Sequence, residues 1–278
     1  MKNFVLFLKG FILGIANIIP GVSGGTLAIT LGIYEDIISA ISHFLTNFKK
    51  NIKFLLPIVI GAVISILALS KVINYSLDKA PVATTLFFIG LIVGGIPLIF
   101  KKVEGKKLNA KYIVAFILPF ILVLTLTFLN SGNHNFNLTA VTPIKMLILL
   151  VVGIIASATM IIPGISGSFV LMLLGFYKPI VNTLSNLTDF SILGHNLAIL
   201  IPFGIGVLIG IVLIAKLIEY LLNKHETVTY YMVLGFIIAS IASLIIGLFS
   251  YNVSALEIVV GVIMLMIGAL VGYKLGDK

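Results

Sequence analysis

Residues 18–25 read Ile-Ile-Pro-Gly-Val-Ser-Gly-Gly, and residues 161–168 read Ile-Ile-Pro-Gly-Ile-Ser-Gly-Ser, at an offset of 143. The match continues through a Leu-Gly-x-Tyr sequence in both copies, so that 10 of 21 positions are identical between 18–38 and 161–181. Chance pairs Ile with Ile in apolar sequences, but it does not reproduce Pro-Gly-x-Ser-Gly and Leu-Gly-x-Tyr at one spacing. The stretch therefore indicates an internal duplication.

A second block of matches extends the duplication at an offset of 145. In this block Pro57, Gly61, Lys71, Tyr75, Lys79, Thr84 and Gly90 match Pro202, Gly206, Lys216, Tyr220, Lys224, Thr229 and Gly235. The two-residue slip falls between the blocks, where a loop absorbs it. The sequence predicts two homologous units, residues 1–135 and 136–278, within one integral membrane domain.

Composition places the chain in a membrane. Of its 278 residues 60% are hydrophobic and only 10% are charged, against roughly 25% charged residues in a soluble domain. The chain has no Cys, which excludes disulfides and thiolate metal sites. Its net charge of +9 comes from 18 basic residues, all Lys. We interpret this charge as cytoplasmic loops and contact with anionic membrane lipids, and we expect no nucleic-acid binding.

Each unit has three plain apolar segments of about the 20 residues that cross a bilayer as a helix. The predicted spans are 54–76, 83–101 and 111–130 in the first unit and 197–217, 228–249 and 255–274 in the second. Each unit opens instead with two apolar arms on either side of the Pro-Gly motif, over about 4–46 and 144–190. Pro and Gly disfavour a straight helix through the motif, so each pair of arms is either a broken spanning helix or a re-entrant hairpin.

The lysines favour the hairpin. Residues 101–111 are rich in Lys and should be cytoplasmic, whereas the Lys-free loop 131–143 should lie outside. Both ends of the first pair of arms then lie inside and both ends of the second lie outside. The sequence predicts an all-α polytopic protein with two inverted repeats, each a re-entrant hairpin plus three transmembrane helices, and with both termini cytoplasmic. Lys145 and Lys178 oppose this map, and a spanning broken helix would give parallel repeats instead.

Inverted repeats with discontinuous helices are typical of secondary transporters, whose substrates bind at the breaks. After the Pro-Gly turn the first N–H groups of a new helix lack intrahelical partners and lie at its positive end, which suits phosphate or carboxylate. The predicted substrate-binding residues are Gly21, Ser23, Gly24, Gly25, Thr26, Gly164, Ser166, Gly167, Ser168 and Lys178. The alternative is that these small residues serve close helix packing, with Ser23 only capping a helix.

Few ionisable groups accompany the motif. Glu35 is a candidate for proton coupling, and Lys178 occupies its place in the second unit; both also fit interfacial anchors. The four His lack metal-ligand spacing, and we find no Ser-His-Asp set, paired carboxylates or nucleotide-binding loop. We therefore expect no enzymatic activity, no metal and no cofactor.

The run from Gly14 to Thr26, followed by Leu31-Gly32-Ile33-Tyr34-Glu35, resembles the signature of the DUF368 family of bacterial membrane proteins, over essentially the whole chain. The resemblance implies a flippase of the bacterial cytoplasmic membrane that returns undecaprenyl phosphate from the outer to the inner leaflet for cell-wall synthesis. Separately, a proton or sodium is a candidate coupling ion. The second motif departs from this signature at Ser168 and Phe169, which implies two unequal tips.

Three rival functions remain open. The first is a secondary transporter or channel for a small anion or ion, the second a lipid phosphatase, and the third a scaffold without transport. Because the chain has no Arg, a bidentate guanidinium clamp is excluded. Recognition of a phosphate would fall to backbone N–H groups, hydroxyls and Lys178.

Overall fold

The computed structural model describes residues 2–18, 22–129, 136–138, 141–165, 167–186, 189–249, 251 and 253–276. Every regular element in these residues is a helix. The first unit contains α1 (Lys2–Ile18), α2 (Gly24–Thr30), α3 (Tyr34–Ser42), α4 (Phe48–Lys79), α5 (Pro81–Val103) and α6 (Ala110–Phe128). The second contains α7 (Pro143–Ile161), α8 (Gly167–Leu173), α9 (Tyr177–Ser185), α10 (Leu193–Leu248) and α11 (Ala255–Gly276).

Six helices among the described residues are long and apolar enough to cross a membrane: α4, α5, α6, α7, α10 and α11. The prediction of an all-helical, multi-pass membrane protein is thereby confirmed. The helix α10 has 56 residues, about 84 Å at 1.5 Å per residue, which far exceeds a bilayer. Its backbone is non-helical at His225, so it comprises two segments, which contain the predicted span 197–217 and all but the last residue of 228–249. The helix α7, predicted as an arm, also has the length of a span.

The repeated Leu-Gly-x-Tyr sequence is a helix-breaking turn. Gly32 has φ +67°, a conformation that favours glycine, and the N–H of Ile33 donates to Ala28 O at 3.0 Å across the end of α2. Gly175, with φ +77°, ends α8 with the corresponding bond. The axis turns by 117° between α2 and α3. The return arm that the sequence predicted as one apolar segment is therefore two short helices.

Within each unit one tight helix pair is built on glycines. Gly10 of α1 lies against the backbone of Ile58 in α4, where an added Cβ would overlap Ile58 O. Gly153 of α7 lies in the same way against Phe203 of α10. Small residues let helix backbones approach closely in a membrane, where lipid is as apolar as Leu. The duplicated glycines thus hold α1 on α4 and α7 on the first segment of α10.

Two further tight pairs join one unit to the other. Gly90 of α5 lies against the backbone of Leu265 in α11, and Gly235 of α10 lies against that of Phe116 in α6. These two glycines match each other across the duplication. The two units therefore share one core, and the largest buried cluster combines residues of α2 and α5 with residues of α10.

We expect Gly206→Val to destabilise the protein, because a Cβ at Gly206 would overlap the backbone of Leu150, whereas Gly204 two residues earlier faces open space. Overpacking of this kind costs roughly 1–3 kcal/mol. Thermal unfolding of the purified protein in detergent measures the effect, with Gly204→Val as the matched control. Equal melting temperatures for the two variants would contradict the α7–α10 packing.

Candidate functional site

The two duplicated motifs touch each other inside the protein. The N–H of Gly164 donates to Thr26 Oγ1 at 2.8 Å, across 138 residues of sequence, and the Tyr34 hydroxyl donates to Ile161 O at 3.3 Å. Gly25 lies so close to the second motif that a Cβ there would be 2.7 Å from Ile161 O. The first tip, residues 22–26, and the second tip, residues 161–165, therefore form one junction between the units.

The hydroxyls of the first tip serve its backbone. Ser23 precedes α2 in an extended conformation, and its Oγ accepts from the Thr26 N–H at 3.5 Å. Thr30 Oγ1 donates to Thr26 O at 3.0 Å. All three side chains are buried, Thr26 completely. Ser23 thus takes the capping role that the packing interpretation expects.

The second tip rests against the far segment of α10. Gly164 has φ +82°, and a Cβ there would lie 2.8 Å from Phe236 O and 3.0 Å from Ser240 Oγ. Ser240 is 2% exposed, and its Oγ has no hydrogen-bond partner among the described residues. Gly167 begins α8 and packs on Met160. A buried, unpaired hydroxyl thus lies beside the backbone of the second tip.

The structure places the predicted site residues unevenly. Gly21 and Ser166 lie outside the described residues, and so does the side chain of Ser168. Lys178 is exposed on the first turn of α9, has no hydrogen bond or ion pair in the described part of the chain, and is not brought to the tips by any contact found there. Gly24 is the first residue of α2 and lies at the junction.

Glu35 belongs to a cluster of charges at the bend between α2 and α3. Its carboxylate accepts from Lys102 Nζ at 2.9 Å, and Lys102 also lies 3.8 Å from Glu226 and over the Tyr230 ring at 5.2 Å. Glu35, Lys102 and Tyr230 line a cavity of about 220 Å³ together with Tyr34. Both ends of the main ion pair are partly exposed, so it contributes about 0–1 kcal/mol. Its effect is to connect α3 to α5 and to the kink of α10.

Lys9 is a polar residue of the interior that is absent from the predicted site residues. It lies in the apolar helix α1, is 3% exposed, and its Nζ donates to Leu31 O at 2.6 Å, at the C-terminal end of α2. A cation at this end of a helix is favourable. Comparison of the two copies in the sequence could have identified Lys9, because the equivalent position of the second unit is the apolar Val152.

We expect Thr26→Val to weaken the junction and Thr26→Ser to preserve it. Valine has the shape of threonine but removes the acceptor for the Gly164 N–H, and a buried unpaired N–H costs about 1–3 kcal/mol. Thermal unfolding in detergent and hydrogen exchange at residues 161–165 measure the change. If valine left both the unfolding temperature and this exchange unaltered, the Thr26–Gly164 bond would not hold the tips together.

Comparison with known proteins identifies a family and two relatives. The family described as "VCA0040-like: Undecaprenyl phosphate translocase-like" matches residues 13–254. A protein of Staphylococcus aureus (strain NCTC 8325 / PS 47) named "Polyprenyl-phosphate transporter" is 33% identical over 277 residues, 99% of this chain and 96% of that protein. A protein of the same name from Vibrio cholerae serotype O1 (strain ATCC 39315 / El Tor Inaba N16961) is 28% identical over 259 residues, 87% of this chain and 77% of that protein. No solved structure matches the chain. The extent of these matches shows that the chain belongs to the VCA0040-like family.

Proposed function

We propose that this protein transports polyprenyl phosphate, returning undecaprenyl phosphate from the outer to the inner leaflet of the bacterial cytoplasmic membrane for cell-envelope synthesis. The family match and the names of the two relatives support the class of substrate. The observation that carries the proposal is the hydrogen bond between Thr26 and Gly164, which joins two duplicated, glycine-rich tips inside an apolar protein. Irregular backbone at such a place is tolerated where protein or a polar path covers it.

The first hairpin is proposed to be re-entrant. Asn3 of α1, Ser39 of α3 and Asn51 of α4 line one cavity, so the start of the first arm, the end of the second and the start of the next span lie together. The helix α2 has seven residues, about 10 Å, which is too short to complete a crossing. Both features support an arm that enters from the cytoplasmic side and returns to it.

The second hairpin is proposed to enter from the opposite side. The N–H of Phe136 donates to Gly175 O at 2.9 Å, so the chain before α7 contacts the turn before α9. Asn196 Nδ2 donates to Asn186 O at 2.9 Å, so the start of α10 contacts the end of α9. The first segment of α10, about 48 Å long, separates this end from Glu226 beside Lys102. Such separation supports the inverted arrangement of the two units.

In the proposed mechanism the phosphate head group passes between the tips while its isoprenoid tail stays in lipid. Separation of the tips breaks the Thr26–Gly164 bond and frees the Gly164 N–H for a phosphate oxygen, with the hydroxyls of Ser23 and Ser166 as further partners. Lys178 and the glycines of both tips complete the proposed set. Access alternates between the two faces as the flanking helices rock. Glu35 is the proposed coupling group, since its protonation would release the ion pair with Lys102.

Topology can be tested with single cysteines, because the natural chain has none. We expect cysteines at Asn3 and Lys106 to react only with a membrane-permeant thiol reagent, and one at Asn186 to react with an impermeant reagent added outside intact cells. Parallel repeats would instead put Lys106 and Asn186 on one face. The two arrangements therefore differ in the labelling of Lys106 relative to Asn3.

Transport can be tested in proteoliposomes that contain a fluorescent short-chain prenyl monophosphate in one leaflet. We expect the natural protein to equilibrate the lipid and Ser23→Ala to slow it by about tenfold, since one hydrogen bond to a charged group and the cap of α2 are lost together. Ser191→Ala, in the exposed loop before α10, is the matched control.

The same vesicles separate the rival functions. Flux of a small anion in vesicles without any prenyl lipid would indicate an anion transporter or channel and would contradict the proposed substrate. Release of inorganic phosphate from the prenyl phosphate would indicate a lipid phosphatase. A natural protein that produced no movement of lipid or anion would fit the scaffold instead.

A further inference from the structure

We infer that the first unit carries a second phosphate-binding site, a basic cavity at the proposed cytoplasmic end that holds the phosphomonoester head group of a prenyl lipid. The basic cavity has a volume of about 760 Å³ and lies between α1, α3 and α4. Its lining includes Lys9, Asp36, Lys50, Asn51, Lys53 and Phe54. The inference rests on the proposed function for the identity of the tail, but the anion site itself follows from this lining.

Lys9 is the first reason to assign a ligand to the basic cavity. An ammonium group has three donors, and among the described residues one hydrogen bond from Lys9 is found, to Leu31 O at 2.6 Å. The side chain is 3% exposed, and a buried cation is costly unless it is paired. The enrichment of Lys in cytoplasmic loops accounts for exposed lysines, but not for one enclosed in a membrane helix.

The second reason is that the equivalent positions of the second unit are all apolar. There the positions equivalent to Leu6, Lys9, Ile33 and Phe54 are Leu149, Val152, Phe176 and Ile199. All four of these belong to one closed hydrophobic cluster, which Leu138 and Ile180 complete. Hydrocarbon thus fills this position in one unit, whereas the other unit keeps a cavity and places a lysine in its wall.

The surrounding scaffold is otherwise the same in both units. Asn51 Nδ2 donates to His43 O at 2.8 Å, and the equivalent Asn196 Nδ2 donates to Asn186 O at 2.9 Å. The neighbouring lysines are not kept, since Lys50 and Lys53 correspond to His195 and Ala198. The hairpin and its anchoring amide therefore form without lysines, so the lysines of the first unit are free for another role.

The lining suits a phosphomonoester on a hydrocarbon chain. The lining contains three lysines and one carboxylate, that of Asp36, and therefore has a net positive charge. A phosphomonoester carries about −1.5 to −2 charges at neutral pH. Leu6 and Phe54 offer apolar wall to the first isoprene unit, and the volume lies within the roughly 300–1,000 Å³ of ordinary ligand sites. Gly32 and Asp36 line both this cavity and the one beside Lys102, so it adjoins the bend that follows the first tip.

The test is binding of farnesyl monophosphate to the full-length protein in nanodiscs of neutral lipid, with inorganic phosphate and farnesol as separate probes. We expect farnesyl monophosphate to bind, inorganic phosphate to compete weakly and farnesol not to bind. Lys9→Met should reduce the affinity by about tenfold, as expected for loss of one charged hydrogen-bond donor. Lys107→Gln removes an exposed charge from the loop between α5 and α6 and should bind as the natural protein does.

Because Lys9 is buried, its replacement also changes packing, so Lys53→Gln at the exposed rim provides a second variant with the same loss of charge. Affinities unchanged in both folded variants would overturn the basic cavity, while the proposed function would stand if the same proteins still moved prenyl phosphate in vesicles. If inorganic phosphate bound as tightly as the prenyl ester, the site would be one for a free anion, and the assignment of a lipid ligand would be overturned. No prenyl phosphate binding or transport by the natural protein would instead contradict the proposed function.

Discussion

Two helix breaks inside an apolar protein leave backbone groups that lipid cannot satisfy, and side chains of the first unit bond two such groups of the second break. An unsatisfied N–H or C=O in hydrocarbon costs several kcal/mol. Here the Gly164 N–H is taken by Thr26 Oγ1, and Ile161 O is taken by the Tyr34 hydroxyl. The close approach that these bonds require explains why position 25 has no room for a side chain. These contacts bring together residues 138 positions apart and join the two units at their helix breaks.

The glycine-built pairs show which parts can move without breaking that architecture. The pairs α1–α4 and α7–α10 stay within their units and carry the tips, whereas α5–α11 and α6–α10 join the units into a central body. Backbones packed at glycines cannot slide without clashes, so each pair is expected to move as one piece. Rotation of α1–α4, together with α2, against the central body would separate the tips and leave these four pairs intact, while the contacts of Gly25 with Ile161 and of Gly95 with Thr30 would open. The Glu35–Lys102 pair lies across the boundary of this motion and would be broken by it.

Much of this fold can be read from the sequence, because lipid imposes simple rules on length and hydropathy. The duplication, the helical class and the spans followed from apolar runs and the repeated motif, and all predicted spans lie largely within observed helices. The turn at Gly32 was missed although Leu-Gly-x-Tyr was recognised as repeated, because an apolar pattern does not report a positive φ. The burial of Lys9 was missed for another reason, namely that its partner, Leu31 O, is distant in sequence and joins it only in the folded hairpin.

The two units differ in chemistry at three pairs of equivalent positions. Lys9 against Val152, Glu35 against Lys178 and Thr26 against Phe169 all place different chemistry on equivalent parts of one scaffold. A transporter, however asymmetric, cannot alter the equilibrium distribution of an uncoupled lipid between leaflets, since binding shifts only the states for which affinities differ. Unequal ends instead determine where the head group dwells and at which face loading is fast. In the proposed function, net return of the carrier then requires its consumption at the cytoplasmic face or the coupled movement of an ion. The basic cavity proposed for that face would hold the head group where such consumption takes place.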